Sequence, residues 1–211
     1  MFVWLASYPK SGNTLLRSML AAYFFSKDGI YDFSLIRNIK QFPHGGLFIK
    51  MGIDIKNHNE TVKNYIKTQE SFNKKDAVQF LKTHSYLFNF NKENAFTDFN
   101  NTFGVIYIVR DPRNVVTSFS KYRGLTNEEM ADFMITGSGD GLTWTNNWAS
   151  NFNSWKLFKE HKRYLLIKYE DLINKRELTF LNILNFIHKI TKSKLVLDKE
   201  KFDNTIKTTS F

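Results

Sequence analysis

Three short stretches concentrate residues that could do chemistry on an anion: "SYPKSGNT" at 7–14, "LKTHS" at 81–85 and "IVRDPRNVVTSF" at 108–119. In the first, Gly12 permits tight backbone geometry. Amides at a loop-to-helix junction favour a phosphate through their dipoles. Ser11, Asn13 and Thr14 can add hydrogen bonds, and Lys10 adds a full charge. The order differs from a GxxxxGK loop followed by Ser or Thr, because this lysine precedes the glycine. Taken alone, an ordinary strand–helix turn with a solvated lysine explains the loop equally well. In the second stretch, His84 beside Lys82 offers a general base, although a lone histidine is more often structural. In the third, Arg110 can clamp a phosphate through two parallel hydrogen bonds, with Ser118 two turns along the next helix. Alone, an Arg–Asp surface turn is the simpler reading of it.

The elements around these stretches give them a common address. Phe2–Ala6, 77–81, Phe103–Val109 and Tyr164–Ile167 are apolar runs of strand length, cut off at Tyr8-Pro9, Lys82-Thr83-His84, Arg110-Asp111-Pro112 and Tyr169-Glu170-Asp171. Leu15, Leu16, Met19, Leu20, Tyr23 and Phe24 recur at helical spacing, as do Val115, Val116, Phe119 and Tyr122 behind Pro112. Helices are also expected over 59–72, 126–136, 142–160 and 175–190, with Trp144, Trp148, Phe152 and Trp155 on one stripe, and Asp198 can cap a last one. Residues 27–58 read as a variable surface region. Buried strands alternating with helices imply an α/β fold, a central parallel sheet flanked by helices, in a single domain over 1–211. Ligands of such sheets bind beyond the carboxyl ends of the strands. Three of the four strand ends therefore present Lys10, Lys82 with His84, and Arg110 to one rim, which suits an anion of several charges.

Composition sets limits. Of 211 residues, 30 are Lys or Arg and 20 are Asp or Glu, a net charge of +10 that fits an anionic partner. Much of that excess is lysine spread evenly along the chain, so it carries weight only where it meets a motif. With no cysteine there are no disulfides or thiolate metal sites. The five histidines show no HExxH or other metal-ligand spacing, and no metal is expected. No signal peptide and no run of membrane-span length is visible, so a cytoplasmic protein is expected.

In combination the motifs resemble the sulfotransferases that use 3'-phosphoadenosine 5'-phosphosulfate (PAPS) and release 3'-phosphoadenosine 5'-phosphate (PAP). "YPKSGNT" resembles the family's 5'-phosphosulfate loop, "KTH" its catalytic-base segment, and "IVRDPRNVVTSF" its 3'-phosphate motif. "KYEDL", with Tyr169, and the final "TTSF", with Thr209, Ser210 and Phe211, resemble segments that reach or line the adenine. The segments occur in family order over essentially the whole chain. The resemblance implies a P-loop-NTPase-like three-layer fold and transfer of a sulfuryl group to a hydroxyl of a carbohydrate, lipid or small alcohol or phenol. His84 would take the hydroxyl proton, Lys10 would stabilise the leaving oxygen and Lys82 the sulfuryl oxygens. PAPS would be held by Lys10, Ser11, Gly12, Asn13, Thr14, Arg110, Ser118, Tyr169, Thr209, Ser210 and Phe211, without a metal.

There are departures. Leu15 stands where the family has an adenine-stacking tryptophan, which leaves Phe211 as a candidate platform, and Asn151 replaces a histidine between Trp148 and Trp155. Family members also continue into a basic glycine-containing segment, so a C-terminally truncated or divergent member is expected. Two other classes remain open at this point. A P-loop-like kinase would use ATP with Asp111 on Mg²⁺, against the order of the first loop. An RNA-binding module would need basic residues on a stripe with aromatics rather than at strand ends. No nucleic-acid partner is therefore expected.

Overall fold

The computed structural model describes residues 1–74, 77–90, 92–137, 142–194 and 196–209. In chain order the elements are β1 (Phe2–Ala6), α1 (Asn13–Phe25), a 3₁₀ helix (Phe33–Asn38), β2 (Lys40–Gln41), α2 (Gly45–Ile49), α3 (His58–Lys63), α4 (Tyr65–Glu70), β3 (Gln79–Thr83), β4 (Thr102–Val109), α5 (Pro112–Arg123), α6 (Asn127–Thr136), α7 (Trp148–Ser154), α8 (Leu157–Glu160), β5 (Tyr164–Lys168), α9 (Tyr169–Asn174), α10 (Arg176–Thr191) and α11 (Lys199–Thr208). The strands form one sheet in the order β2-β3-β1-β4-β5, and every pair is parallel. The α/β expectation holds. Among the described residues no helix is long and apolar enough to cross a membrane.

β1 lies in the middle, which is why its apolar run is unbroken: a parallel strand is covered on both faces. Alternate side chains go to opposite faces. Val3 and Leu5 join Leu16, Met19, Leu20, Ile106, Ile108, Phe180 and Ile183 under α1 and α10. Phe2, Trp4 and Ala6 join Phe42, Tyr65, Phe96, Tyr107, Trp155 and Phe158 on the other face. That second core is a cluster of rings. Trp4 alone has Phe96, Phe42 and Trp155 at centroid distances of 5.1, 5.9 and 6.2 Å. Much of the aromatic content, 16% of the chain, is therefore core.

Local differences from the sequence reading have local causes. The second strand starts two residues later than the apolar run, at Gln79, where the ladder to β1 begins with Phe2 opposite Gln79. Residues 27–58 contain the edge strand β2, whose two residues pair with Leu81 and Lys82; both are exposed and no apolar run marks them. The helix expected over 142–160 does not start until Trp148. Asn147 caps it by accepting from the Ser150 amide, and Asn146 before it sits at φ 59°. Trp144 therefore lies before the helix and off its stripe, and the helix breaks again before α8. Tyr122, placed by spacing on the apolar stripe of α5, is 71 % exposed. The expected cap at Asp198 is present, accepting from Lys201 N.

Candidate active site

The carboxyl ends of the five strands lie in a row, and the residues beyond them line one cavity of about 600 Å³. Its walls carry Lys10, Arg17, Lys82, His84, Arg110 and Arg123, with Gly12, Asn13, Thr14, Gln41, Ser118, Tyr122, Thr143, Thr145 and Tyr169 between them, and no carboxylate among the described residues that line it. A concave surface with charge of one sign focuses the field on an anion.

The first wall is made by backbone. Lys10 and Gly12 both adopt positive φ, 63° and 97°, and wind the chain tightly from β1 into α1. A Cβ on Gly12 would sit 2.2 Å from the Tyr169 ring, so only glycine fits. Gly12 is also the N-cap of α1 and has no side chain to satisfy the first amides, and the first turn holds no acid. Those amides have no intrahelical partner and form a partial positive charge. The Ser11 hydroxyl is buried without a partner, and Ser11 is not among the residues that line the cavity. Asn13 is committed elsewhere: its Nδ2 donates to Leu5 O at 2.9 Å and Ser7 Oγ at 3.1 Å, tying helix to strand.

The neighbouring wall, beyond β3, is made by side chains. The Nδ1 of His84 lies 2.9 Å from the carbonyl oxygen of Ser7 and 3.1 Å from its hydroxyl. A carbonyl only accepts, so Nδ1 carries the proton in the neutral ring and Nε2 keeps its lone pair. Burial, then the charges of Lys82, Arg17 and Lys10, push the His84 pKa down to about 3, with the Ser7 bond opposing them. The ring is neutral in the physiological range. Lys82 donates to Gln41 Oε1 at 2.8 Å, and burial with the nearby Arg17 lowers its pKa to about 8.

Asn151 holds this wall in place. Fully buried, it donates through Nδ2 to His84 O at 2.9 Å and to Thr145 O at 2.7 Å, and its Oδ1 accepts from the Tyr107 hydroxyl at 2.7 Å. The next carbonyl, Ser85 O, accepts from Trp155 Nε1 at 3.0 Å. The residue that departs from the resembled pattern is thus a three-way bracket behind His84.

On the third side, Arg110 donates to Lys10 O at 3.3 Å, its guanidinium lies 4.5 Å from the Tyr169 ring centroid, and its buried Nε has no partner. Asp111 caps α5 and is bonded to Arg113 through both oxygens. The Lys10 ammonium lies 4.8 Å from the Tyr122 ring centroid.

Of the residues singled out in the sequence, Lys10, Gly12, Asn13, Thr14, Lys82, His84, Arg110, Ser118 and Tyr169 share this cavity. Ser11 does not line it. Thr209 is buried at the end of α11, where its hydroxyl donates to Thr205 O. Ser210 and Phe211 lie outside the described residues. Leu15 is core, packed beneath the sheet with Leu16. Arg17, Gln41, Tyr122, Arg123, Thr143 and Thr145 line the cavity without having been singled out. Only Arg17 carried a signal: one turn beyond Thr14, it is the one charged residue of α1.

Comparison with known proteins agrees with this arrangement. Residues 2–211 match the sulfotransferase domain family. A mouse sulfotransferase complexed with PAP superposes with a TM-score of 0.58 at 17% identity, covering 99% of this chain and 63% of that one. Retinol dehydratase, in complex with androsterone and the inactive cofactor PAP, superposes with a TM-score of 0.62 at 17% identity, covering 99% and 64%. The chain thus spans just under two thirds of these solved structures. A search of curated proteins returned no match. With its five-stranded parallel sheet and its strand ends gathered on one anion cavity, the chain belongs to the sulfotransferase domain family.

Proposed function

We propose that the chain is a PAPS-dependent sulfotransferase that sulfates a hydroxyl group and leaves PAP, acting in the cytoplasm. The observation that carries this reading is the cavity itself. A base with a free Nε2, two lysines and three arginines face one space with no carboxylate among its described lining residues, on a fold shared with PAP-bound sulfotransferases. The residues suit a nucleotide with several charges: the uncapped start of α1 and Lys10 for the 5' end, Arg110 with its unpartnered Nε and Ser118 for a second phosphate. When bound, PAPS supplies the sulfuryl group.

The chain's own contributions are positioning and electrostatics. Nε2 of His84 accepts the proton of the acceptor hydroxyl. Lys10 stabilises negative charge growing on the leaving phosphate oxygen, and Lys82 stabilises the sulfuryl oxygens. The low pKa of His84 reflects burial and three neighbouring cations. A bound polyanion offsets those cations and so raises the basicity of the ring, against the burial that still lowers it. The test is transfer of label from ³⁵S-PAPS to a panel of hydroxyl acceptors. Labelled sulfate ester with wild type and none with His84→Ala supports the reading, and equal transfer by both contradicts the role of His84.

A further inference from the structure

Strand order divides the rim of the sheet into two halves. Tyr169, Arg110 and the Lys10–Thr14 loop follow β5, β4 and β1, and together they form the half suited to the nucleotide. Lys82 and His84 belong to β3 and its end. Beyond them lies only the edge strand β2, and there a second cavity of about 450 Å³ opens. It is lined by Arg17, Arg37, Lys40, Gln41, His44 and Lys50 among smaller and apolar residues, again with no carboxylate among the described residues. Arg17 and Gln41 line both cavities, and Gln41 accepts from Lys82. The two spaces therefore meet beside Lys82, on the side away from Arg110.

This second cavity is built rather than incidental. Arg17 is held by donating from Nη2 to Ile36 O at 3.2 Å and Ile39 O at 2.7 Å, while its buried Nε is left without a partner. Asp32 senses the charge of Arg37 but lies outside the lining. Lys40 and Lys50 make no ion pair among the described residues. Uncompensated like charge in a concavity is unfavourable unless an anion joins it.

We infer that this groove receives the acceptor, and that the acceptor carries its own negative charge. The groove fits a carboxylate or sulfate ester on the same molecule as the target hydroxyl, seated among Arg17, Arg37, Lys40 and Lys50 with the hydroxyl at His84. The inference rests on the sulfotransferase reading for the identity of the reaction, but the preference of the groove for an acid is independent of it.

The test uses matched pairs of probes in calorimetry on the whole chain, with and without saturating PAP. One pair is a glucuronic-acid oligosaccharide and its carboxyl-reduced counterpart. The other is 4-hydroxyphenylacetate and its methyl ester. In at least one pair the acidic member should bind about tenfold more tightly, the sum expected of a few solvent-facing charge contacts, and lose most of that advantage in 0.5 M salt. The exposed triple variant Arg37→Ala/Lys40→Ala/Lys50→Ala should erase the preference while leaving PAP affinity unchanged. Which pair discriminates identifies the source of the acid. Equal affinity within both pairs, absence of binding by either acid, or a preference that survives the triple variant overturns the inference. A protein that fails to bind PAP but keeps the acid preference overturns the sulfotransferase reading and leaves the groove standing.

Discussion

The loop after β1 and the turn after β3 sit at neighbouring strand ends of one cavity, yet they are built by different means. The first is a backbone device. Two positive-φ residues, a glycine that no side chain could replace and the bare start of a helix make it, all within residues 10–14. The second is a side-chain device assembled from far away. His84 is aimed by Ser7, 77 residues earlier, and its carbonyl is held by Asn151, 67 residues later. A site for a bound anion can be made of local amides. Aiming one ring nitrogen needs a bracket on every side.

That contrast predicts which function each substitution damages. The largest effect belongs to His84→Ala, which should lower kcat by on the order of 10²–10⁴. PAP affinity, measured by calorimetry, should hardly change. Next comes the backbone device. Gly12→Ala meets both a left-handed φ and the Tyr169 ring, and should lower stability by about 1–3 kcal/mol, seen as a reduced Tm, together with PAP affinity. Arg110→Ala leaves the loop folded and should weaken PAP by about 1.5–3 kcal/mol, the worth of one charge-assisted contact. Asn151→Ala should do the reverse of Arg110→Ala: kcat falls roughly tenfold with PAP affinity intact, because what it loses is the aim of His84. If Asn151→Ala shifts PAP affinity instead, the division between the two walls is wrong.

The smallest effect is in pH. With the His84 pKa lowered to about 3 the base is already unprotonated, so kcat/KM should show no acid limb near the ordinary imidazole value. With the Lys82 pKa lowered to about 8 its charge is lost as pH rises through that value, and kcat/KM should halve there. An acid limb near pH 6.5 would show that His84 is not held as described.

The same contrast explains how much was legible in the sequence. The loop around Lys10 announces itself, because glycine and proline signal backbone geometry over a few residues. The strands were visible as apolar runs, and their order along the chain put Lys82, His84 and Arg110 on one rim. What stayed hidden depends on contacts between distant residues. Asn151 looked like the loss of a histidine, and only the fold shows its three bonds. Tyr122 shares the spacing of Phe119 but faces out, since spacing cannot tell a buried stripe from its margin. β2 is two exposed residues with no pattern of their own, recruited by pairing to β3. The groove beside it could not be read from charges spread over residues 17–50.

The most direct test of the anion cavity is titration of the purified chain with PAP and, separately, with ATP and Mg²⁺. Saturable binding of PAP, weakened in Arg110→Ala, with no comparable binding of ATP and Mg²⁺, is the predicted result. Binding of ATP and Mg²⁺ with none of PAP would contradict it.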